Sequence, residues 1–153
     1  TTGAGAVIGG IQAGNRLASV PEYQAALTAA YYWPIAMGYS MEAFVAGSVQ
    51  HVGSRFTQPS DQVPGAGNFV SNLPFGGAPG TNVTALDLEL EAYTILNLSA
   101  GVQNDDWGLT LFVNNATDEN ANLAFDRERG GRARLAFHTN QPRTIGLTVR
   151  RNF

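Results

Sequence analysis

Four arginines crowd around a glycine pair in Phe125-Asp-Arg-Glu-Arg-Gly-Gly-Arg-Ala-Arg-Leu-Ala-Phe137, the densest concentration of chemistry in the chain. Gly130-Gly131 suits a two-residue hairpin turn, whose positive φ angles glycine adopts without steric cost. In that register Arg129 stands opposite Arg132 and Arg127 opposite Arg134, so four guanidinium groups share one face. Like charges facing each other across strands are unfavourable, and guanidinium forks onto phosphate and carboxylate. Two readings follow. The arginines meet an anionic ligand, or the chain's own acids (Asp87, Glu89, Glu91, Asp126 and Glu128) neutralise them. Asp87, Glu89 and Glu91 fall on alternate positions. They form a ladder that could hold cations, face water, or pair with these arginines.

Little else in the chain suggests chemistry. His51 and His138 are the only histidines and lack the partner spacing of a metal site. With no cysteine, disulfides, zinc-thiolate sites and cysteine nucleophiles are excluded. No Gly-x-Ser-x-Gly nucleophile elbow occurs. The reading is therefore of a non-enzyme, with no catalytic residue, no metal and no cofactor. A formal net charge of −3 gives no reason to expect nucleic acid as a partner.

The elements that would position these groups read as strands. Charged residues make up 14% of the chain, against roughly 25% in ordinary soluble domains, so part of the surface need not face water. A helical membrane span is disfavoured: Ala25 to Met41 carries no formal charge, but Pro34 sits inside it and Gly38 follows. At period two the chain divides cleanly. Ala85 to Gln103 places Leu86, Leu88, Leu90, Ala92, Thr94, Leu96, Leu98, Ala100 and Val102 on one face. Asp87, Glu89, Glu91, Tyr93, Ile95, Asn97, Ser99, Gly101 and Gln103 fall on the other. It reads as one long strand. Weaker alternation marks Tyr23 to Trp33, Tyr39 to Gln50, Trp107 to Asn114 and Thr144 to Phe153, for five strands in all.

The links alternate in length. Pro34 to Gly38 and Asn104 to Asp106 are tight turns. Phe56 to Thr84 and Ala116 to Pro142 greatly exceed the roughly 15 residues at which structureless loops become uncommon. Short turns on one side and long loops on the other are the habit of transmembrane barrels. A soluble β-sandwich shows the same alternation and stands as the alternative.

Three segments carry a family likeness. Gly14-Asn-Arg-Leu-Ala-Ser-Val-Pro21 resembles the stretch before a late strand in TonB-dependent receptors. Leu111-Phe-Val-Asn-Asn-Ala-Thr-Asp-Glu119 is similar to a segment near the end of those proteins. Pro142 to Phe153 resembles their terminal strand, in which Ile145, Leu147 and Val149 lead to a final aromatic, Phe153, read by the barrel-assembly machinery. Two departures are Arg151 where the family has an aromatic and Ala116 where it has leucine. The resemblance implies an all-β chain: an antiparallel, up-and-down transmembrane barrel segment of about five strands with two long extracellular loops. Residues 1–153 would be the C-terminal part of a 22-strand receptor, with the plug and the TonB-contacting region upstream. The implied setting is the bacterial outer membrane, in contact with lipid and lipopolysaccharide. The implied work is active uptake of a siderophore-iron complex, a vitamin or a glycan.

Overall fold

The computed structural model describes residues 12–36, 40–71, 82–127 and 135–152. Among them the chain is all-β apart from one short 3-10 turn, η1 (Pro59–Gln62). The strands are β1 (Gln24–Ile35), β2 (Met41–Val52), β3 (Arg55–Phe56), β4 (Asn68–Ser71), β5 (Asn82–Ala85), β6 (Glu89–Leu90), β7 (Tyr93–Gln103), β8 (Trp107–Asn114), β9 (Asn122–Arg127), β10 (Leu135–Thr139) and β11 (Thr144–Arg151). They divide between two compact units.

One unit, residues 23–52, 93–121 and 140–153, is built on a five-stranded antiparallel sheet in the order β1-β2-β7-β8-β11. These are the five strands expected from period two, neighbours in space as in sequence. Tight connections favour this: Asn104 Oδ1 accepts the amide N–H groups of Asp106 and Trp107, closing the β7–β8 hairpin without help from elsewhere. Asn152 then ties the last strand to that hairpin, its N–H reaching the Asp106 carbonyl at 2.7 Å and its Nδ2 the Asp105 carbonyl at 2.7 Å. Pro34 lies in β1, an outer strand of the sheet, where a missing ladder donor is tolerated.

The other unit, residues 1–22, 53–92 and 122–139, gathers what the sequence suggests are structureless loops. It holds the β3–β6 pair, the β4–β5 hairpin and the β9–β10 hairpin. Its core is small, Leu88 and Leu90 against Phe125, with Ala66 and Leu86 beside them.

That core corrects the expected long strand over Ala85 to Gln103. The strand is interrupted after Ala85 and again before Tyr93. The Asp87 carboxylate accepts the Glu89 N–H at 2.9 Å, a local turn that bends the chain off the sheet. Leu88 and Leu90, 3% and 2% exposed, then fill the small core instead of extending an apolar sheet face. Sheet face and core both place leucine at alternate positions, so the periodicity does not tell them apart.

The arginine hairpin is also corrected. β9 and β10 pair with Arg127 opposite Leu135, not Arg134. The register follows from Phe125 standing directly opposite Phe137, their ring centroids 5.0 Å apart. A two-residue Gly130-Gly131 turn would slip the pair by one residue, separate the rings and turn every side chain of one strand to the other face. Arg129, Arg132 and Arg134 lie outside the described residues, as does Phe153.

Candidate functional site

In an antiparallel ladder, directly opposed residues project to the same face. Register therefore decides which side chains of the five-stranded sheet share a surface. Three rows run unbroken across all five strands: Ala29–Gly47–Leu98–Val113–Ile145, Tyr31–Val45–Ala100–Leu111–Leu147, and Trp33–Ala43–Val102–Leu109–Val149. Every residue in them is apolar or aromatic. The surface is not a covered core: Tyr31 is 67% exposed, Leu111 52% and Leu147 62%. Ile145, Leu147 and Val149, the apolar residues expected to belong to an assembly signal, are its contribution from β11.

Polar groups appear on this face only at its two ends. At the end nearer the long links, His51 faces Thr94, and their Nδ1 and Oγ1 atoms are 2.8 Å apart. Tyr23 stacks on the imidazole with ring centroids 5.2 Å apart. At the turn end Arg151 stands opposite Trp107. The departure from a terminal-strand aromatic thus falls at the margin of the apolar surface, where a charged side chain can reach water.

The opposite face is polar and crowded with small residues. Its rows include Tyr32–Phe44–Gly101–Thr110–Thr148 and Ala30–Ala46–Ser99–Phe112–Gly146, with Thr28–Ser48–Asn97 beside them. Glu42, Gln50, Asn97 and Thr110 are all here, opposite to Leu96, as the alternation requires. Two rings press against glycines of the neighbouring strand. A Cβ at Gly101 would come within 2.7 Å of the Phe44 ring, and one at Gly146 within 2.8 Å of the Phe112 ring. Tyr32 stacks on Phe44 in turn, at 5.7 Å between centroids. These phenylalanine–glycine pairs could not be seen in the sequence, since each needs the register between two strands far apart in the chain.

The acids expected to form a charged site serve separate roles. Asp87 closes its own turn, and Glu91 is exposed. Glu89 accepts a hydrogen bond from Arg16, at 3.1 Å. No ladder of carboxylates forms. Among the described residues no group of three His, Asp or Glu side chains is placed to hold a metal ion.

Arg16 and Asn115 are the residues sequence reasoning undervalued. Each lies in a segment that carries the family likeness, but neither stands out by type. Arg16 reaches Glu22 at 3.5 Å and the Ser54 hydroxyl at 3.3 Å, donates to the Ser54 carbonyl, and lies 5.5 Å over the Phe56 ring. Its backbone is clasped by Gln62, which accepts the Arg16 N–H and donates to the Arg16 carbonyl. Asn115 is 3% exposed and holds φ at 52°. Its Nδ2 donates to the carbonyls of Glu119 and Gln141, at 2.8 and 3.0 Å, and its Oδ1 accepts the Glu119 N–H. Its own N–H donates to the Asn97 side chain on β7. The Asn-Asn-Ala-Thr-Asp-Glu segment thus works as a knot at the head of β8. Asp118 completes it by accepting the Arg143 N–H at 3.0 Å.

No family model, curated protein or solved structure matches the chain.

Proposed function

We propose that the five-stranded sheet is part of a transmembrane β-barrel, and that the chain is the C-terminal part of an outer-membrane receptor for TonB-dependent uptake. The observation that carries this reading is the exposed apolar face, continuous over five strands and backed by a polar one. Barrels in lipid alternate apolar-out and polar-in along each strand, which is this arrangement. On the apolar face Tyr31 and Trp33 of β1 and Trp107 of β8 lie toward the turn end, as expected of aromatic residues at a lipid–water boundary. The short turn Asn104–Asp106 joins β7 to β8 at the end of the sheet where Ile35 pairs with Met41, and the chain leaves β2 and β8 for its long links from the opposite ends of those strands. The resemblance at 14–21, 111–119 and 142–153 supplies the receptor family.

On this reading the apolar face meets lipid, and the loop side meets lipopolysaccharide. Phe153 with Val149, Leu147 and Ile145 engages the barrel-assembly machinery, and TonB acts through a region upstream. The ligand is one scarce enough to need active uptake: siderophore-bound iron, a vitamin or a glycan. No enzymatic step belongs to this segment.

Leu147→Arg separates this reading from a soluble β-domain. In lipid, arginine near the middle of the apolar face costs about 2–4 kcal/mol. On a water-exposed surface, replacing a side chain already 62% exposed changes stability by about 0.5 kcal/mol or less. Unfolding of the intact protein in lipid vesicles should show the larger loss. A protein that needs no detergent and tolerates the arginine would refute the barrel.

A further inference from the structure

The exposed apolar face carries a single formal charge among its described residues, and that charge sits on a margin. The side chains facing this way run from Ala25 to Ile35 on β1, Met41 to His51 on β2, Thr94 to Val102 on β7, Trp107 to Val113 on β8 and Ile145 to Arg151 on β11. Arg151 is the one Asp, Glu, Lys or Arg among them. It is exposed and stands opposite Trp107 in the last row at the turn end. Trp33 lies one row in, stacked with Tyr31 at 5.6 Å between centroids. Asp105 and Asp106 belong to the turn beyond that last row, and Glu42 to the other face. The end of β11 is fixed against the hairpin, because Asn152 bonds to the carbonyls of both Asp106 and Asp105.

We propose that Arg151 and Trp107 form a docking point for the phosphate of an anionic glycerophospholipid, in the leaflet at the turn end. An arginine at the edge of an apolar surface lays its stem along that surface and carries its charge out to the headgroups. The guanidinium fork matches two phosphate oxygens, and its five N–H donors can hold a phosphate beside contacts within the chain. Trp107, 42% exposed, offers the first methylenes of the lipid a broad apolar ring whose N–H end suits the wet boundary. A zwitterionic headgroup carries its own ammonium beside the phosphate, so the arginine favours a lipid whose charge is not already offset. On the receptor reading lipopolysaccharide lies at the loop side, which leaves glycerophospholipid at this end. Contact with lipid belongs to the barrel reading, on which this proposal rests. The choice of headgroup is what Arg151 adds, and it gives the departure from a terminal-strand aromatic a use.

The test reconstitutes the intact protein in phosphatidylcholine vesicles that contain brominated phosphatidylcholine or brominated phosphatidylglycerol at equal mole fraction. Bromine quenches tryptophan on contact, and the part of the quenching lost in Trp107→Phe reports this position. Phosphatidylglycerol should quench Trp107 as though enriched there about fivefold, the worth of one arginine at a charged lipid surface. In the wild-type protein the enrichment should shrink as salt screens exposed charge. Arg151→Gln should abolish it, and Arg151→Lys, which keeps the charge but not the fork, should retain part of it. Arg150→Gln removes the same charge from the opposite face and should leave the enrichment unchanged. Heat-modifiable gel mobility shows that each variant is folded. Equal quenching by the two lipids overturns the proposal, as does an enrichment that salt does not move or that Arg150→Gln and Arg151→Gln lower alike; in each case the barrel reading stands. Quenching by neither lipid places Trp107 outside the bilayer and refutes the barrel reading, and the docking point with it.

Discussion

Replacing Asn115 by alanine should destabilise the protein far more than its place in a connecting segment suggests. The side chain makes three hydrogen bonds, to the Glu119 N–H, the Glu119 carbonyl and the Gln141 carbonyl. At about 1 kcal/mol net each, their loss costs about 3 kcal/mol if nothing replaces them. Gln141 is exposed, so water can satisfy its carbonyl once the turn loosens, and the lower bound is about 2 kcal/mol. A residue at φ 52° adds about 1 kcal/mol for alanine, since asparagine tolerates the left-handed region and alanine does not. The sum is about 3–4 kcal/mol. Asn115→Gly keeps that φ without strain and should recover about 0.5–1 kcal/mol of it. Asn140 shares the Glu119 carbonyl with Asn115 at 2.8 Å, so Asn140→Ala and Asn115→Ala should be non-additive. Urea unfolding in detergent, followed by tryptophan fluorescence, measures all of these. A loss under about 1 kcal/mol for Asn115→Ala, with glycine no better, would falsify the claim that this network holds the head of β8.

Three further outcomes are expected. Gly101→Ala should lower folded yield and stability by about 1–3 kcal/mol, because its Cβ meets the Phe44 ring and the Leu109 carbonyl; pairing it with Phe44→Ala should restore part of the loss in the same unfolding assay. Arg16→Lys should behave like Arg16→Ala in limited proteolysis of the loop-side unit, since one ammonium cannot serve Glu22, Glu89, Ser54 and the Phe56 ring together. The thermodynamic effect is about 1 kcal/mol, as both acids are well exposed. Phe153→Ala should reduce the amount of heat-modifiable barrel in outer membranes; an unchanged amount would remove the assembly role from the terminal aromatic.

The five sheet strands were legible because one constraint acts on all of them. A two-sided sheet forces period two, and the tight Asn104-Asp-Asp turn and long excursions mark where it stops. The same rule failed at Leu86 to Leu90, where leucines at alternate positions leave the sheet to pack on Phe125. It failed again at Arg127, where a glycine pair suggests one turn and a phenylalanine pair imposes another register. Both errors have one cause: the winning interaction is made by residues distant in sequence. Asn115 and Arg16 sit in segments whose likeness to a family was visible, yet their work as hubs was not. A hub is defined by the groups around it, and those groups come from Asn97, Gln141, Ser54, Gln62 and Glu89.

The segment 122–139 leaves and rejoins the sheet-bearing unit at a single point. The Ala121 N–H donates to the Asn140 side chain at 2.8 Å, and the Asn140 N–H returns to the Ala121 carbonyl at 3.2 Å. The two ends are therefore fastened to each other before the segment begins, much as a clasp closes a necklace regardless of the beads. Lengthening a loop whose ends are already held adds only about 0.6 kcal/mol of closure entropy for each doubling. The stretch between Ala121 and Asn140 can thus be lengthened at little cost as long as Phe125 keeps its place against Leu88 and Leu90. Tags or epitopes inserted beyond Phe125 should leave β8 and β11 in register.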